Sequence, residues 1–92
     1  MMAAKKQSDA DEKVVHVQRV TLRISEYGRI YSYGHKVIVT NTGGGDAYVG
    51  MDNQNVPSSE TLLPVGETRE FDDTVNAFAY SCPTLEVKLV EK

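Results

Sequence analysis

Residues 35–52, which read HKVIVTNTGGGDAYVGMD, decide the fold of this chain. An apolar β-rich run at residues 37–39 is followed by a second one at residues 47–49. The link between them consists mostly of turn formers and contains three consecutive glycines. Glycine takes positive φ at little steric cost, so this link predicts a chain reversal. Two β-rich runs joined by such a link predict a β-hairpin at the centre of an all-β domain.

The length of 92 residues is typical of one domain. A domain of this size buries only about 60–65% of the surface that its unfolded chain exposes. Its stability is therefore expected to be low, and self-association is a common supplement. The net charge of −3 argues against a general nucleic-acid binder, which would neutralise phosphates with an excess of cations.

No apolar run approaches the roughly 20 residues that a membrane-spanning helix needs. The N-terminal residues lack the apolar segment of a secretory signal, and the single cysteine, Cys82, excludes an internal disulfide. We expect synthesis in a cytoplasm, either that of the protein's own organism or that of a host cell.

The chain divides into a tail, residues 1–13, and a single β domain, residues 14–92. The tail mixes charges and contains no aromatic residue, which predicts a flexible solvated segment or an arm that orders on a partner. Residues 14–24 predict the first strand, with Val20, Leu22 and Ile24 on one face. The alternation changes phase near Gln18 and Arg19, which indicates either a β-bulge there or two short strands in place of one.

The rest of the domain alternates short strands with turns. Residues 64–67 (PVGE) predict a turn, and residues 75–81 predict a strand with its aromatic side chains on one face. In the last strand, residues 84–90, the charges on the outward side would suit a sheet edge. These features predict a small antiparallel β-sandwich or partly open barrel of six to eight strands, with no long helix. The expected core includes Ile38, Val49, Phe78 and Val87.

The connection at residues 25–34 contains Tyr27, Tyr31 and Tyr33 with Arg29 beside them. Three interpretations stay open. The tyrosines cover the end of a small core with their hydroxyls in water, or they contact a protein neighbour, or they stack on sugars or bases.

The sequence contains no assembled catalytic or metal-binding pattern. The triple glycine is not followed by Lys-Ser or Lys-Thr and a helix, as a phosphate loop requires. The acidic residues Glu70, Asp72 and Asp73 have no histidine or nucleophile beside them. Cys82 is interpreted as a small buried apolar residue. We therefore expect no enzyme activity, no metal and no cofactor.

The order of the short motifs resembles a pattern in small structural proteins of tailed bacteriophages. The motifs are VTNTG at residues 39–43, YVG at 48–50, LPVGET at 63–68 and FAY at 78–80. The resemblance covers residues 36–90. The proteins that share it are head decoration proteins, fibre-base domains and tail-associated β-sandwiches.

This resemblance implies a non-enzymatic virion structural protein, most of all a capsid decoration or other head or tail surface subunit. It implies a symmetric homo-oligomer, with a trimer favoured, that binds major capsid or other virion proteins and neither nucleic acid nor membrane. Its location would be the virion, after synthesis in the host cytoplasm. The candidate interface consists of Tyr27, Arg29, Tyr31 and Tyr33 with the tail residues Met1, Lys5 and Lys6. The alternative is a free-standing binding module that recognises a glycan or peptide through the three tyrosines and residues 52–60.

Overall fold

The computed structural model describes residues 13–92 and is all-β apart from one short 3₁₀ turn. Two four-stranded antiparallel sheets face each other, which confirms the predicted small β-sandwich. The elements in chain order are β1 (Val14–Thr21), β2 (Gly28–Ile30), β3 (Lys36–Gly43), β4 (Ala47–Met51), the 3₁₀ turn η1 (Ser59–Thr61), β5 (Leu62–Leu63), β6 (Thr68–Phe71), β7 (Val75–Phe78) and β8 (Thr84–Val90).

The strands pair in a nested order. β4 pairs with β5, β3 with β6, β2 with β7 and β1 with β8, all antiparallel. The pairs fall alternately into two sheets, with strand orders β1-β8-β3-β6 and β2-β7-β4-β5. The chain is therefore one long hairpin, folded back at the β4–β5 connection and rolled up so that successive pairs lie in opposite sheets.

The predicted hairpin between residues 37–39 and 47–49 is wrong. β3 pairs with β6 and β8, whereas β4 pairs with β5 and β7, so the two strands lie in different sheets. Gly43, Gly44 and Gly45 all have positive φ, at 148°, 96° and 121°, and turn the chain from one sheet to the other. Glycines indicate where a chain reverses, but they do not decide whether the flanking strands pair with each other.

The side chain of Asn41 holds this corner together. Its Nδ2 donates to the carbonyls of Gly45 and Leu63, both at 2.9 Å, and its Oδ1 accepts from the Gly43 N–H at 3.1 Å. The residue is fully buried. A buried amide needs such partners, so the Asn-Thr-Gly motif serves the chain path between the sheets.

The core lies between the two sheets and is filled by small and branched apolar side chains. All four residues expected in the core are buried, with exposed fractions of 8% for Ile38, 0% for Val49, 7% for Phe78 and 0% for Val87. Phe78 lies on the outer face of its sheet, opposite Tyr48, and Tyr27 covers it at 4.7 Å between ring centroids.

The first strand differs from the prediction. It ends at Thr21, and Ile24 is 60% exposed instead of sharing a buried face with Leu22. The irregularity in register lies between Val14 and His16, not near Gln18. After the bulge at the start of β1, the pairing with β8 decides which side chains of β1 face inward. His16 and Gln18 occupy two of these inward positions.

Two further expectations are corrected. β8 lies between β1 and β3, so its charges do not protect a sheet edge. Cys82 is exposed. The backbone of Cys82 and the fully buried Pro83 pack on Gly44, where an added Cβ would lie 2.6 Å from the Cys82 carbonyl oxygen. This packing leaves the Cys82 side chain on the outside.

Candidate functional site at the seam between two sheet edges

The sandwich has two lateral sides, and each is formed by one edge strand of each sheet. We call them the β1/β2 seam and the β5/β6 seam. β1 is long and all but one of its side chains are exposed, whereas β2 has three residues. The short β2 cannot cover the inward face of β1, so the β1/β2 seam stays open.

A groove of about 220 Å³ lies in the β1/β2 seam. Its base is formed by the apolar side chains of Ile30 and Leu89, and its walls are polar and aromatic. The wall residues come from β1, from β2 and from the segment that follows β2: His16, Gln18, Arg29, Tyr31 and Tyr33. We call it the seam groove.

The register of β1 directs His16 and Gln18 toward this groove. They lie opposite Leu89 and Val87, which are inward-facing core residues of β8. Residues directly opposite each other in an antiparallel pair lie on the same face of the sheet. His16 Nε2 and Gln18 Oε1 are 3.4 Å apart, so an imidazole and an amide lie side by side on one wall.

Arg29 forms the charged rim of the seam groove. It donates two hydrogen bonds to the Asp52 carboxylate, at 2.9 and 3.1 Å, and one to Asn76 Oδ1 at 2.8 Å. Hydrogen bonds from Arg29 and then from Asn76 lower the pKa of Asp52 to about 2. The charge of Arg29 is therefore balanced by a carboxylate that stays ionised near neutral pH.

The guanidinium of Arg29 also contacts an aromatic ring. Its Cζ lies 5.7 Å from the centroid of Tyr31, within the usual range of a cation–π contact. Tyr31 in turn lies 6.0 Å from Tyr33, centroid to centroid. The two tyrosine rings are 54% and 77% exposed and stand at the mouth of the groove.

Tyr33 has an unusual backbone conformation. The His35 N–H donates to the Ser32 carbonyl at 2.9 Å, which closes a four-residue turn. Its two central residues, Tyr33 and Gly34, have φ of 51° and 81°. Positive φ at both central positions defines a type I′ turn, where Asn-Gly is the favoured pair. A bulky tyrosine is therefore held in a conformation that costs free energy.

A second aromatic group, the outer aromatic cluster, lies on the outer face of the β2-β7-β4-β5 sheet. Phe78 contacts Tyr27 and Tyr80 at centroid distances of 4.7 and 5.1 Å, and Tyr80 contacts Tyr48 at 5.9 Å. A shallow groove of about 350 Å³ runs between Tyr48, Tyr80 and residues of the β4–β5 connection. Tyr27 and Tyr80 are 66% and 64% exposed.

The residues that the sequence suggested as an interface are thus divided between two places. Arg29, Tyr31 and Tyr33 come together at the seam groove, and Tyr27 belongs to the outer aromatic cluster. The tail residues of the candidate interface fall outside the described part of the chain: Met1, Lys5 and Lys6. Of the predicted tail, only Lys13 is described, and its carbonyl accepts a hydrogen bond from the Glu91 N–H at 3.0 Å.

His16 and Gln18 were not predicted as groove residues, and Tyr48 and Tyr80 were not predicted as members of the cluster that contains Tyr27. The signal for Tyr48 and Tyr80 was available, because strand alternation places both on the outward face. The signal for His16 and Gln18 was hidden by the bulge in β1.

Within residues 13–92, no three His, Cys, Asp or Glu side chains lie close enough together to hold a metal ion. Nor does any helix in that range have the length and apolar character that crossing a membrane requires. The inward faces of the sheets are instead occupied by buried apolar residues.

No protein-family model and no curated protein matches the sequence. Among solved structures, the chain is similar to a de novo designed double-stranded β-helix, with a TM-score of 0.59 and 14% identity over 82% of this chain and 99% of that one. Protein NMB1881 from Neisseria meningitidis matches with a TM-score of 0.59 and 13% identity over 97% and 98%. A cupin domain from Bordetella pertussis matches with a TM-score of 0.54 and 13% identity over 85% and 90%.

These similarities show the fold, which is a small double-stranded β-helix of the kind found in cupin domains. At 13–14% identity they show nothing about the reaction or the ligand. The fold suits either an enzyme or a binding protein, and the side chains must distinguish between the two.

Proposed function

We propose that this protein is a non-enzymatic structural subunit of a tailed bacteriophage, most of all a capsid decoration protein or another head or tail surface protein. It works as a symmetric oligomer, with a trimer favoured, bound to the major capsid protein or another virion protein. The observation that carries the proposal is that three of the four motifs shared with phage structural proteins shape the chain path, and none of the four converges on a reactive centre.

Three of the four motifs, VTNTG, YVG and LPVGET, have a structural explanation. Asn41 and Gly44 build the corner between the sheets. Gly50 lies under the β4–β5 connection, where an added Cβ would come within 2.8 Å of the Thr61 side chain. Gly66 has φ of 92°, and the Glu67 N–H donates to the Pro64 carbonyl at 3.1 Å. Motifs whose residues are needed to direct the chain, and not to react with a substrate, are typical of a structural subunit more than of an enzyme.

The exposed apolar surface supports self-association. Besides the outer aromatic cluster, β1 exposes Val14, Val15 and Val17 to 45%, 45% and 50%. Tyrosine is enriched in protein interfaces, and exposed apolar groups of this kind often mark contact sites. A domain with so small a core also gains stability when a partner buries more of its surface. We place the main interface on the outer aromatic cluster, because it brings four aromatic side chains together on one outer face, and two of them, Tyr27 and Tyr80, are 66% and 64% exposed.

The trimer follows from the geometry of a shell. A three-fold position offers equivalent contacts to each of three copies, so a closed ring of three subunits satisfies every copy. Because apolar and tyrosine contacts supply the binding free energy, the complex should tolerate moderate salt, unlike a complex with nucleic acid.

Light scattering tests the proposal directly. The purified protein should have the mass of a trimer, and it should add mass to empty heads of a phage that encodes it. Tyr80→Ser should weaken both associations, whereas Tyr33→Ser, which removes an even more exposed tyrosine outside the cluster, should not. A protein that stays monomeric at high concentration and ignores the heads would contradict the proposal.

A further inference from the structure

We infer that the seam groove is a binding site for one neutral saccharide ring. This site is distinct from the proposed interface at the outer aromatic cluster, and the inference does not depend on the assignment to a phage particle.

The size of the groove limits its ligand. Its volume of about 220 Å³ lies below the ~300–1,000 Å³ of pockets that enclose drug-sized molecules. The groove opens at one side of the sandwich between two edge strands, so a longer chain can leave it into solvent. One sugar ring, either free or at the end of a glycan, fits these limits.

The lining of the groove matches the two faces of a sugar. The exposed rings of Tyr31 and Tyr33 present flat apolar surfaces, which suit the C–H face of a pyranose. The amide of Gln18 and the imidazole of His16 each combine a donor with an acceptor, which suits hydroxyl groups that also do both. The other groove offers the hydroxyls of Ser58 and Ser59 beside Tyr48 and Tyr80, but no amide or imidazole.

The charge balance favours a neutral ligand. Arg29 is the only arginine or lysine among the groove residues, and both of its terminal nitrogens already donate to the Asp52 carboxylate. Its remaining donors can bind a hydroxyl, but a phosphate or carboxylate ligand would have to compete with Asp52. Nucleotides and acidic peptides are therefore disfavoured.

The backbone of Tyr33 is an independent observation. A type I′ turn favours Asn before Gly, yet this turn has Tyr33 in the left-handed region with its ring 77% exposed. Burial of the ring does not compensate for this conformation. A strained aromatic residue at the mouth of a groove is explained if the ring contacts a ligand.

The test is an NMR titration of the full-length ¹⁵N-labelled protein with glucose, galactose, N-acetylglucosamine and their short oligosaccharides. We expect saturable shifts for at least one sugar, centred on the amides of Gln18, Tyr31 and Tyr33. Tyr33→Asn should weaken that binding by about tenfold, the effect expected for loss of one stacking ring. Its melting temperature should equal or exceed that of the wild type, because asparagine suits the turn.

Tyr80→Asn is the matched control, since it removes a tyrosine of similar exposure outside the groove, and it should leave sugar binding unchanged. The inference is overturned if no sugar in the panel gives saturable shifts, if the shifts centre on Tyr48 and Tyr80, or if Tyr33→Asn binds as well as the wild type. Tighter binding of adenosine monophosphate than of any sugar would overturn the neutral-ligand claim. Because oligomer formation is measured separately, either proposal can fail alone.

Discussion

The two seams of the sandwich join the same two sheets but are built differently. At the β5/β6 seam, Arg69 reaches from β6 to the carbonyls of Leu62 and Glu60, at 2.9 and 3.4 Å, and so ties one sheet edge to the other. At the β1/β2 seam, the polar side chains of His16 and Gln18 contact each other, and the space between them and β2 is the seam groove.

The difference follows from how the edge strands are connected. β5 and β6 are short and are joined by the tight turn at residues 64–67, which brings their edges within reach of one side chain. β1 has eight residues against three in β2, so most of its inward face has no strand opposite. One fold thus has a side that is closed for stability and a side that is open for binding.

The largest effect is expected at the end of the closed side, where Asn41 bonds to β5. Asn41→Ala removes hydrogen bonds from two carbonyls and one N–H around a fully buried position. The free energy of unfolding should fall by about 3 kcal/mol or more. Urea denaturation measures it, and Gln18→Ala in the open seam should cost no more than about 0.5 kcal/mol. Equal losses would remove the distinction between the seams.

Arg69→Ala should have an intermediate effect. It breaks the connection between β6 and the carbonyls beside β5, and we expect a loss of about 1 kcal/mol because the side chain is partly exposed. Arg19→Ala on exposed β1 is the matched control, and its loss should stay within about 0.5 kcal/mol. If the two arginine variants melt alike, Arg69 does not close the seam.

The stability that the Arg29–Asp52 pair contributes at the rim of the open seam should depend on pH. The pKa of Asp52 is about 2 in the folded protein, below its ordinary value of 3.8, so the folded state favours the ionised form. The stabilisation is therefore complete above about pH 4 and is lost as the pH falls through 2. Thermal melts between pH 5 and pH 2 should show a smaller drop for Asp52→Asn than for the wild type. Asp46→Asn, at an exposed turn, should follow the wild type; a drop for Asp52→Asn as large as the wild type's would contradict the pairing with Arg29.

The smallest effect, and the only stabilising one, concerns the turn beside the open seam. Tyr33→Asn should raise the free energy of unfolding by up to about 1 kcal/mol, because the left-handed region costs asparagine less than tyrosine. A melt compared with Tyr80→Asn, at an exposed tyrosine without a positive φ, separates relief of the turn conformation from a general effect of replacing tyrosine with asparagine. Destabilisation by Tyr33→Asn would show that the ring supports the fold.

Much of the fold could be predicted because apolar residues alternate with a period of two along single strands. Leu85, Val87 and Leu89 follow a period of two, so their strand and its buried face were predicted correctly. The alternation at residues 75–79 was also recognised, but the small residues Val75, Ala77 and Ala79 form the core face, and Phe78 lies on the outer face. The turn at residues 64–67 was also correct, because Gly66 occupies its third position with φ of 92°, where glycine is favoured.

The sheet assignment could not be predicted in the same way. The triple glycine before Asp46 is compatible with a hairpin and with a corner between sheets, and only the pairing of β3 with β8 decides between them. That pairing joins residues far apart in sequence. The same is true of the bulge in β1, because β8 determines which side chains of β1 face inward.

The candidate site likewise could be predicted only where its residues are close together in sequence. Arg29, Tyr31 and Tyr33 were recognised because they are close in sequence and their chemistry is conspicuous. Their separation from Tyr27 depends on the path of residues 25–34, in which Tyr27 donates to the Val56 carbonyl at 3.1 Å. That contact fixes Tyr27 on the outer face of one sheet, and no local pattern predicts it.

Hydrogen–deuterium exchange of the subunit, diluted until it is monomeric and then bound to phage heads, tests the proposed function most directly. We predict that binding protects amides around the outer aromatic cluster, at Tyr27 and in the segment that follows Phe78. The amides of the open seam near Tyr33 should exchange at the same rate in both states. Protection at Tyr33 with none near Tyr27 or Tyr80, or no protection anywhere in the chain, would contradict it.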